Sequence, residues 1–236
     1  MTITTTEGGN WLPFLLQTAD PLFPTGSYAH SFGWEEMARL NCLRDEQSLL
    51  QSLRLHTIPA LRDQELPYLR YAYGAALAHD MDELCLLDRE IDAWKLAQES
   101  REASVQIGLR RLRALENICQ NMELLRNFEV RVEGGEAQGH HLVVFAMQAV
   151  VASVPREAAL FAWAYQGLAS VCAAALKLIR IGQDGIQRTL RAALSGLDEV
   201  IASSLDVDRP GAGTFSPLLE IASMRHRRAE ERLFIS

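Results

Sequence analysis

The sequence predicts an all-α fold, a single-domain bundle of roughly eight to ten helices. Three observations predict it. Apolar residues recur at helical spacing along most of the chain after residue 28. No stretch alternates with the two-residue period of a strand, apart from Val130–Val132, which is too short to matter. No internal repeat divides the 236 residues, and with 48% hydrophobic residues the chain can bury one core of ordinary size.

Residues 1–14 are expected as a flexible N-terminal segment, with the domain running over 15–236. The stretch Glu46–Leu61 places Leu49, Leu50, Leu53 and Ile58 on one helix face, and Pro59 should end or bend it. Asp63 is a suitable N-cap for the next segment, which carries Pro67 in its first turns and runs through Leu69, Tyr73 and Leu77 to Ala78. Asp82 opens a run to Ala97 whose inner face is Leu84, Leu87, Ile91, Trp94 and Leu96. Its outer face alternates charge, with Asp88 set against Lys95 and Glu99. A helix over Ser104–Phe128 carries Ile107, Leu112, Leu115, Ile118, Leu125 and Phe128 inward. The three glycines of Glu133–Gly139 (EGGEAQG) then impose a loop. Helices follow over His140–Val154, Arg156–Ile181 and Gln183–Ser204, with Pro155 and the turn GQDG (182–185) at the junctions. A second loop, Asp208–Pro217 (DRPGAGTFSP), leads into a closing helix over Leu218–Leu233.

Ala158–Leu176 contains no charged residue and is long enough to span a bilayer, about 20 residues being needed. It is rich in alanine and includes Gln166, Gly167 and Ser170, which fits a helix enclosed by other helices better than one in lipid. No membrane partner is expected. Nor is nucleic acid, because 23 Lys and Arg face 30 Asp and Glu, a net charge of -7. Cys42, Cys85, Cys119 and Cys172 form no C-x-x-C pair and read as reduced thiols. With no signal-like start in MTITTTEGGNW, a cytoplasmic location is expected.

Enzyme signatures are missing. GQDG and GAG lack the lysine of a phosphate-binding loop, there is no G-x-S-x-G, and Ser27 and His30 have no identifiable third group. There is no H-E-x-x-H. Adjacent His140 and His141 would point about 100° apart on a helix, and His30 and Glu35 stand five apart, one step off a shared face. No catalytic residue and no resident metal or cofactor is therefore expected. The runner-up reading is a helical metal-dependent enzyme using His30, Glu35 and His140 or His141.

Two segments stand out. Asp20–Glu36 (DPLFPTGSYAHSFGWEE) packs two prolines, two glycines and four aromatics into seventeen positions. Pro24 and Gly26 suit a turn, and Ser27 or Thr25 suits the cap of a following helix. Such a turn is either an internal anchor or a contact surface, aromatic residues beside a rigid turn being good hot spots. The tail SMRHRRAEERLFIS ends in Leu233, Phe234 and Ile235, apolar residues that either the domain or a partner must order.

FPTGSYAHSFGWE (Phe23–Glu35) resembles the N-terminal signature of the urease accessory protein F family. LAQESREASVQIGLRRL (Leu96–Leu112) is similar to that family's middle helix, with Ser104 and Gly108 in register. CAAALKLIRIGQDGIQRTL (Cys172–Leu190) and the tail Ser223–Ser236 resemble its later segments, in the same order. Some positions depart from the pattern. His140–Ala146 (HHLVVFA) lacks a proline and a final glycine, Trp34 stands where Leu is common, and Arg227 and Glu230 stand where Glu and Tyr are usual. The tail departures change its charge and so bear on its partner contacts.

The resemblance implies an all-helical homodimer that joins a D- or H-type accessory protein and a G-type GTPase, docks on apo-urease and supports nickel insertion. Nickel would be handled by the complex and not held permanently by this chain. It also implies site roles. Tyr28 and Arg232 would receive the GTPase, with Arg225, His226 and Phe234 as further partner contacts. Pro24, Gly26, Ser27, His30, Ser31, Gly33 and Glu35 would hold the turn. Lys177 and Gln183 would line a polar passage or an interface, the alternative for Lys177 being a surface lysine lying along apolar neighbours.

Overall fold

The computed structural model describes residues 11–119 and 122–236, and the elements among them are helical, with no strand. The all-α bundle expected from the pattern is what forms. Residues 1–10 of the expected flexible segment lie outside the described residues, and Trp11–Phe14 already belong to helix α1 (Trp11–Ala19).

After α2 (Trp34–Arg39), one continuous helical rod runs from Glu46 to Leu77. It begins as α3 (Glu46–Ser52), capped by Asp45, whose side chain accepts from Ser48 N–H at 2.8 Å while Ser48 Oγ reciprocates at the Asp45 backbone. A π turn (Leu53–Thr57), the short α4 (Ile58–Ala60), a second π turn (Leu61–Glu65) and α5 (Leu66–Leu77) complete it. Pro59 therefore does not end the helix, whereas Pro67 lies in the first turn of α5, the helical position expected of it, although no break precedes that turn. Each lies two residues past the end of a widened turn, where the local register no longer requires the proline's missing N–H. Asp63 is accordingly no N-cap: it sits inside the second π turn, 2.6 Å from Arg62, and its backbone oxygen accepts from Gly213 N–H at 2.8 Å.

Asp80, two residues before the expected start, caps α6 (Met81–Trp94) by accepting from Glu83 N–H at 3.0 Å. The helix expected over Ser104–Phe128 is two, α7 (Gln98–Glu116) and α8 (Glu123–Glu133). α9 (His141–Val151) and α10 (Arg156–Leu178) lie near the expected positions. Gly196 then splits the next segment into α11 (Gln183–Leu194) and α12 (Leu197–Leu205). The closing helix α13 (Pro217–His226) stops seven residues earlier than expected, leaving the tail as a non-helical strap.

α9 is the centre of the fold. Leu142 through Met147 are buried without interruption, packed between α5 and α7. α10 is long and apolar enough by length and composition to cross a membrane. In this fold Ala164, Leu168, Cys172 and Ala175 face the core instead, while Phe161, Tyr165 and Leu176 stay exposed. Asp88, expected on a solvated face, is fully buried.

Candidate docking surface

The first turn is built by short-range polar contacts. Asp20 bends the chain, its side chain accepting from Leu22 N–H at 2.7 Å and its backbone oxygen from Phe23 N–H at 2.9 Å. Gly26, at φ +73°, starts a single 3₁₀ turn over Ser27–Ala29 with no side-chain cap, so neither Ser27 nor Thr25 caps it as expected. Glycine takes up this left-handed backbone without the steric cost a side chain would bring. Pro24 is exposed at the bend. The turn presents Tyr28, 67% exposed, to solvent.

The tail returns to this turn. The Ser236 backbone oxygen accepts from Ser31 N–H at 2.5 Å, Ser31 Oγ at 2.9 Å and Phe32 N–H at 3.1 Å, and Ile235 N–H donates to Ala29 O at 2.8 Å. His30 Nδ1 lies 2.8 Å from Ser236 Oγ. Burial, and then the Arg110 guanidinium, push the His30 pKa below the usual imidazole value. Gly33, at φ +88°, brings α2 against α13, since a Cβ there would lie 2.4 Å from Ser223 Oγ.

Glu35 is the hub. Buried, it accepts from Leu233 N–H at 3.0 Å, Phe234 N–H at 3.1 Å and His226 Nε2 at 3.0 Å. Burial alone would raise its carboxyl pKa, but the Leu233 N–H, the His226 ring and the Phe234 N–H together hold it below the ordinary value. On the other side of the ring, His226 Nδ1 lies 2.9 Å from Glu99, which also accepts from Arg232 at 3.0 Å. Arg225 pairs with Glu36 at 3.0 Å, and Arg227 donates to Gln98.

The residues singled out in the sequence thus separate into two groups. Tyr28, Arg225, Arg232, Leu233 and Ile235 are exposed around one turn-and-tail surface. His226 and Phe234, expected as partner contacts, are buried: His226 bridges two carboxylates, and Phe234 is seated with Lys177 Nζ 5.2 Å from its ring centroid. Lys177 is therefore engaged by the tail, and Gln183 is exposed in the first turn of α11. Glu99 was missed. It lies 127 positions from His226, and no local spacing could have linked them.

The residues of the metal-enzyme alternative are not brought together. His30 is bonded to Ser236 and Glu35 to His226, while His140 is bonded to Ser104 at 3.1 Å and Asp92 at 3.2 Å. His141 accepts from Arg111 Nε at 3.1 Å, and burial, then Arg111 and Lys95, push its pKa well below the usual value. Among the described residues no three His, Cys, Asp or Glu side chains are grouped to hold a metal. Beneath the surface lies a cleft of about 320 Å³, walled by Trp34, His56, Trp94, His141, Trp163 and Leu219.

The sequence model of the UreF family matches residues 43–194, from just before α3 to the end of α11, well over half the chain. The chain belongs to the UreF family. It is similar to the urease accessory protein UreF of Actinobacillus pleuropneumoniae, 31% identical over 222 residues that cover 94% of this chain and 97% of that protein. It is also similar to UreF of Paenarthrobacter aurescens (strain TC1), 34% identical over 94% of this chain and 96% of that protein, and to UreF of Bacillus sp. (strain TB-90), 30% identical over 96% and 100%. The likeness to these UreF proteins thus spans nearly the whole of each chain.

Proposed function

We propose that this UreF chain is a cytoplasmic, non-catalytic scaffold of urease maturation. With a D- or H-type accessory protein and a G-type GTPase it docks on apo-urease, supports GTP-dependent assembly of the nickel centre and regulates the GTPase. Nickel is cargo of the complex, and this chain keeps no resident cofactor. The observation that carries the reading is that the tail is bonded back onto the first turn, through Ile235 N–H to Ala29 O, while Tyr28 of that turn and Arg232, Leu233 and Ile235 of the tail stay exposed. An aromatic and an arginine on a rigid mount are the residue types that dominate protein contacts. A homodimer is supported by the exposed side of α10, where Phe161, Tyr165 and Leu176 leave an apolar face that a second copy would cover.

The test is co-expression with urease and its accessory proteins, followed by affinity capture of the GTPase. Tyr28→Ala and Arg232→Ala are each expected to weaken capture by about thirtyfold, the effect of losing roughly 2 kcal/mol at a hot spot, with thermal unfolding unchanged. Undiminished capture by both variants would remove the site assignment. Fully active urease made without this chain would remove the role.

A further inference from the structure

The cleft beneath the turn-and-tail surface encloses about 320 Å³, the size at which pockets for small organic molecules begin. α10 supplies one wall, with Trp163 and, one turn on, Gln166. Both π turns of the long rod face it, the first through His56 and the second through Gln64 and Glu65. Widened turns of this kind are frequent at functional sites. The Asp208–Pro217 loop closes the outer side. Its Gly213 N–H donates to Asp63 O at 2.8 Å, His56 Nδ1 lies 2.5 Å from Ser216 Oγ, and Phe215 stands between these two fastenings.

Two donors on the walls lack an acceptor. Gln166 Nε2 is buried with no hydrogen-bond partner among the described residues, an arrangement that leaves its desolvation uncompensated. His141 Nε2 accepts from Arg111 Nε at 3.1 Å, and an arginine can only donate. The His141 ring is therefore neutral, with its one proton on Nδ1. Among the described residues no hydrogen bond uses that N–H. The ring centroid lies 4.9 Å from that of Trp163, so the two unmatched donors flank one indole.

Charge narrows the occupant. Glu65, which accepts from Trp163 Nε1 at 2.8 Å, and Glu220 line the cleft against a single ammonium, Lys95. An anion would meet two carboxylates. A cation would meet Lys95 and two donors it cannot satisfy. An uncharged molecule with an acceptor oxygen escapes both conflicts, and the aromatic walls at Trp34, Trp94 and Phe215 suit a flat ring.

We propose that this cleft binds a small, uncharged, planar molecule whose carbonyl oxygen accepts from Gln166 Nε2 and His141 Nδ1–H. Gln166 reaches it by turning its terminal amide, a movement that gives up no hydrogen bond of Nε2. The site uses neither Tyr28 nor Arg232, so this inference stands apart from the docking reading.

Three probes that share a ring and differ in charge test it on the full chain: indole-3-carboxamide, indole-3-carboxylate and tryptamine, titrated by calorimetry at neutral pH. The carboxamide is expected to saturate one site per chain and to bind about tenfold or more tighter than the other two, the worth of one matched hydrogen bond. Gln166→Met keeps the bulk and removes the donor. It should weaken the carboxamide about tenfold without lowering thermal unfolding, because the amide it replaces has no partner to lose. Ser170→Phe, at an exposed position on the rim, should abolish binding by filling the cleft. On binding, the proton resonance of His141 Nδ1–H should shift.

A carboxamide that fails to saturate at millimolar concentration, or binds no better than the carboxylate or the amine, overturns the proposal. So does undiminished binding by Gln166→Met or by Ser170→Phe. A cleft that ignores all three probes but becomes protected from hydrogen exchange when accessory proteins bind would be a groove for protein, and that result overturns it too.

Discussion

Replacing Gly108 with alanine is expected to destabilise the fold by about 3 kcal/mol or more. On helix propensity alone the change should help, since glycine inside a helix costs about 1 kcal/mol relative to alanine. The packing decides otherwise. A Cβ on Gly108 would lie 2.0 Å from Gly139 O, 2.8 Å from His141 N and 2.9 Å from the His140 carbonyl carbon. All three are backbone atoms, so no side-chain rotation relieves the contact, and α7 would have to move off the start of α9. One turn earlier on the same face, Ser104 Oγ meets His140 Nδ1 at 3.1 Å, which fixes the register of the crossing. Urea unfolding checks this: a variant with the midpoint of the unaltered protein would show that the two helices are not locked here.

Much of this architecture was legible because helical periodicity states which side of each segment is buried. The glycine loop at 133–139 and the proline-and-glycine loop near 208–217 follow from local pattern, whereas α10, expected to be enclosed by other helices, keeps one side with Phe161, Tyr165 and Leu176 exposed. Pro59 as a helix end and Asp63 as a cap misled because a π turn is a response to packing and leaves no periodic signature of its own. At the site, the two unusual segments could be picked out, but not which of their side chains face outward. Phe234 and Leu233 are both apolar and adjacent, yet one is buried and the other 71% exposed, a choice made by how the strap lies across α2 and α10. The joining of Glu35 to His226 spans 191 positions. Polar groups carry no period that would reveal such a pairing, so only the fold discloses it.

Asp88 is the clearest instance of a charge whose role is invisible in sequence, and it yields the second large effect. Its alternation with Lys95 and Glu99 suggests a solvated helix face, but the carboxylate is fully buried at the end of the glycine loop. One oxygen accepts from Gln138 N–H at 2.5 Å and Gly139 N–H at 3.2 Å, and the other from His140 N–H at 2.7 Å. Three backbone donors that no helix or strand would satisfy are thus matched by a single side chain, which sets the loop's path into α9. Asp88→Asn keeps the size and removes the match, because its NH₂ must face at least one of these N–H groups, donor against donor. The expected loss is about 2–4 kcal/mol, with faster hydrogen exchange at 138–140. A variant within about 0.5 kcal/mol of the unaltered protein would show that water or a shifted loop serves these donors equally well. Since Gly139 is also the backbone that Gly108 approaches, Asp88→Asn and Gly108→Ala act on one junction. Their combined effect should fall short of the sum, for a loop already released by the first change can make room for the methyl group of the second.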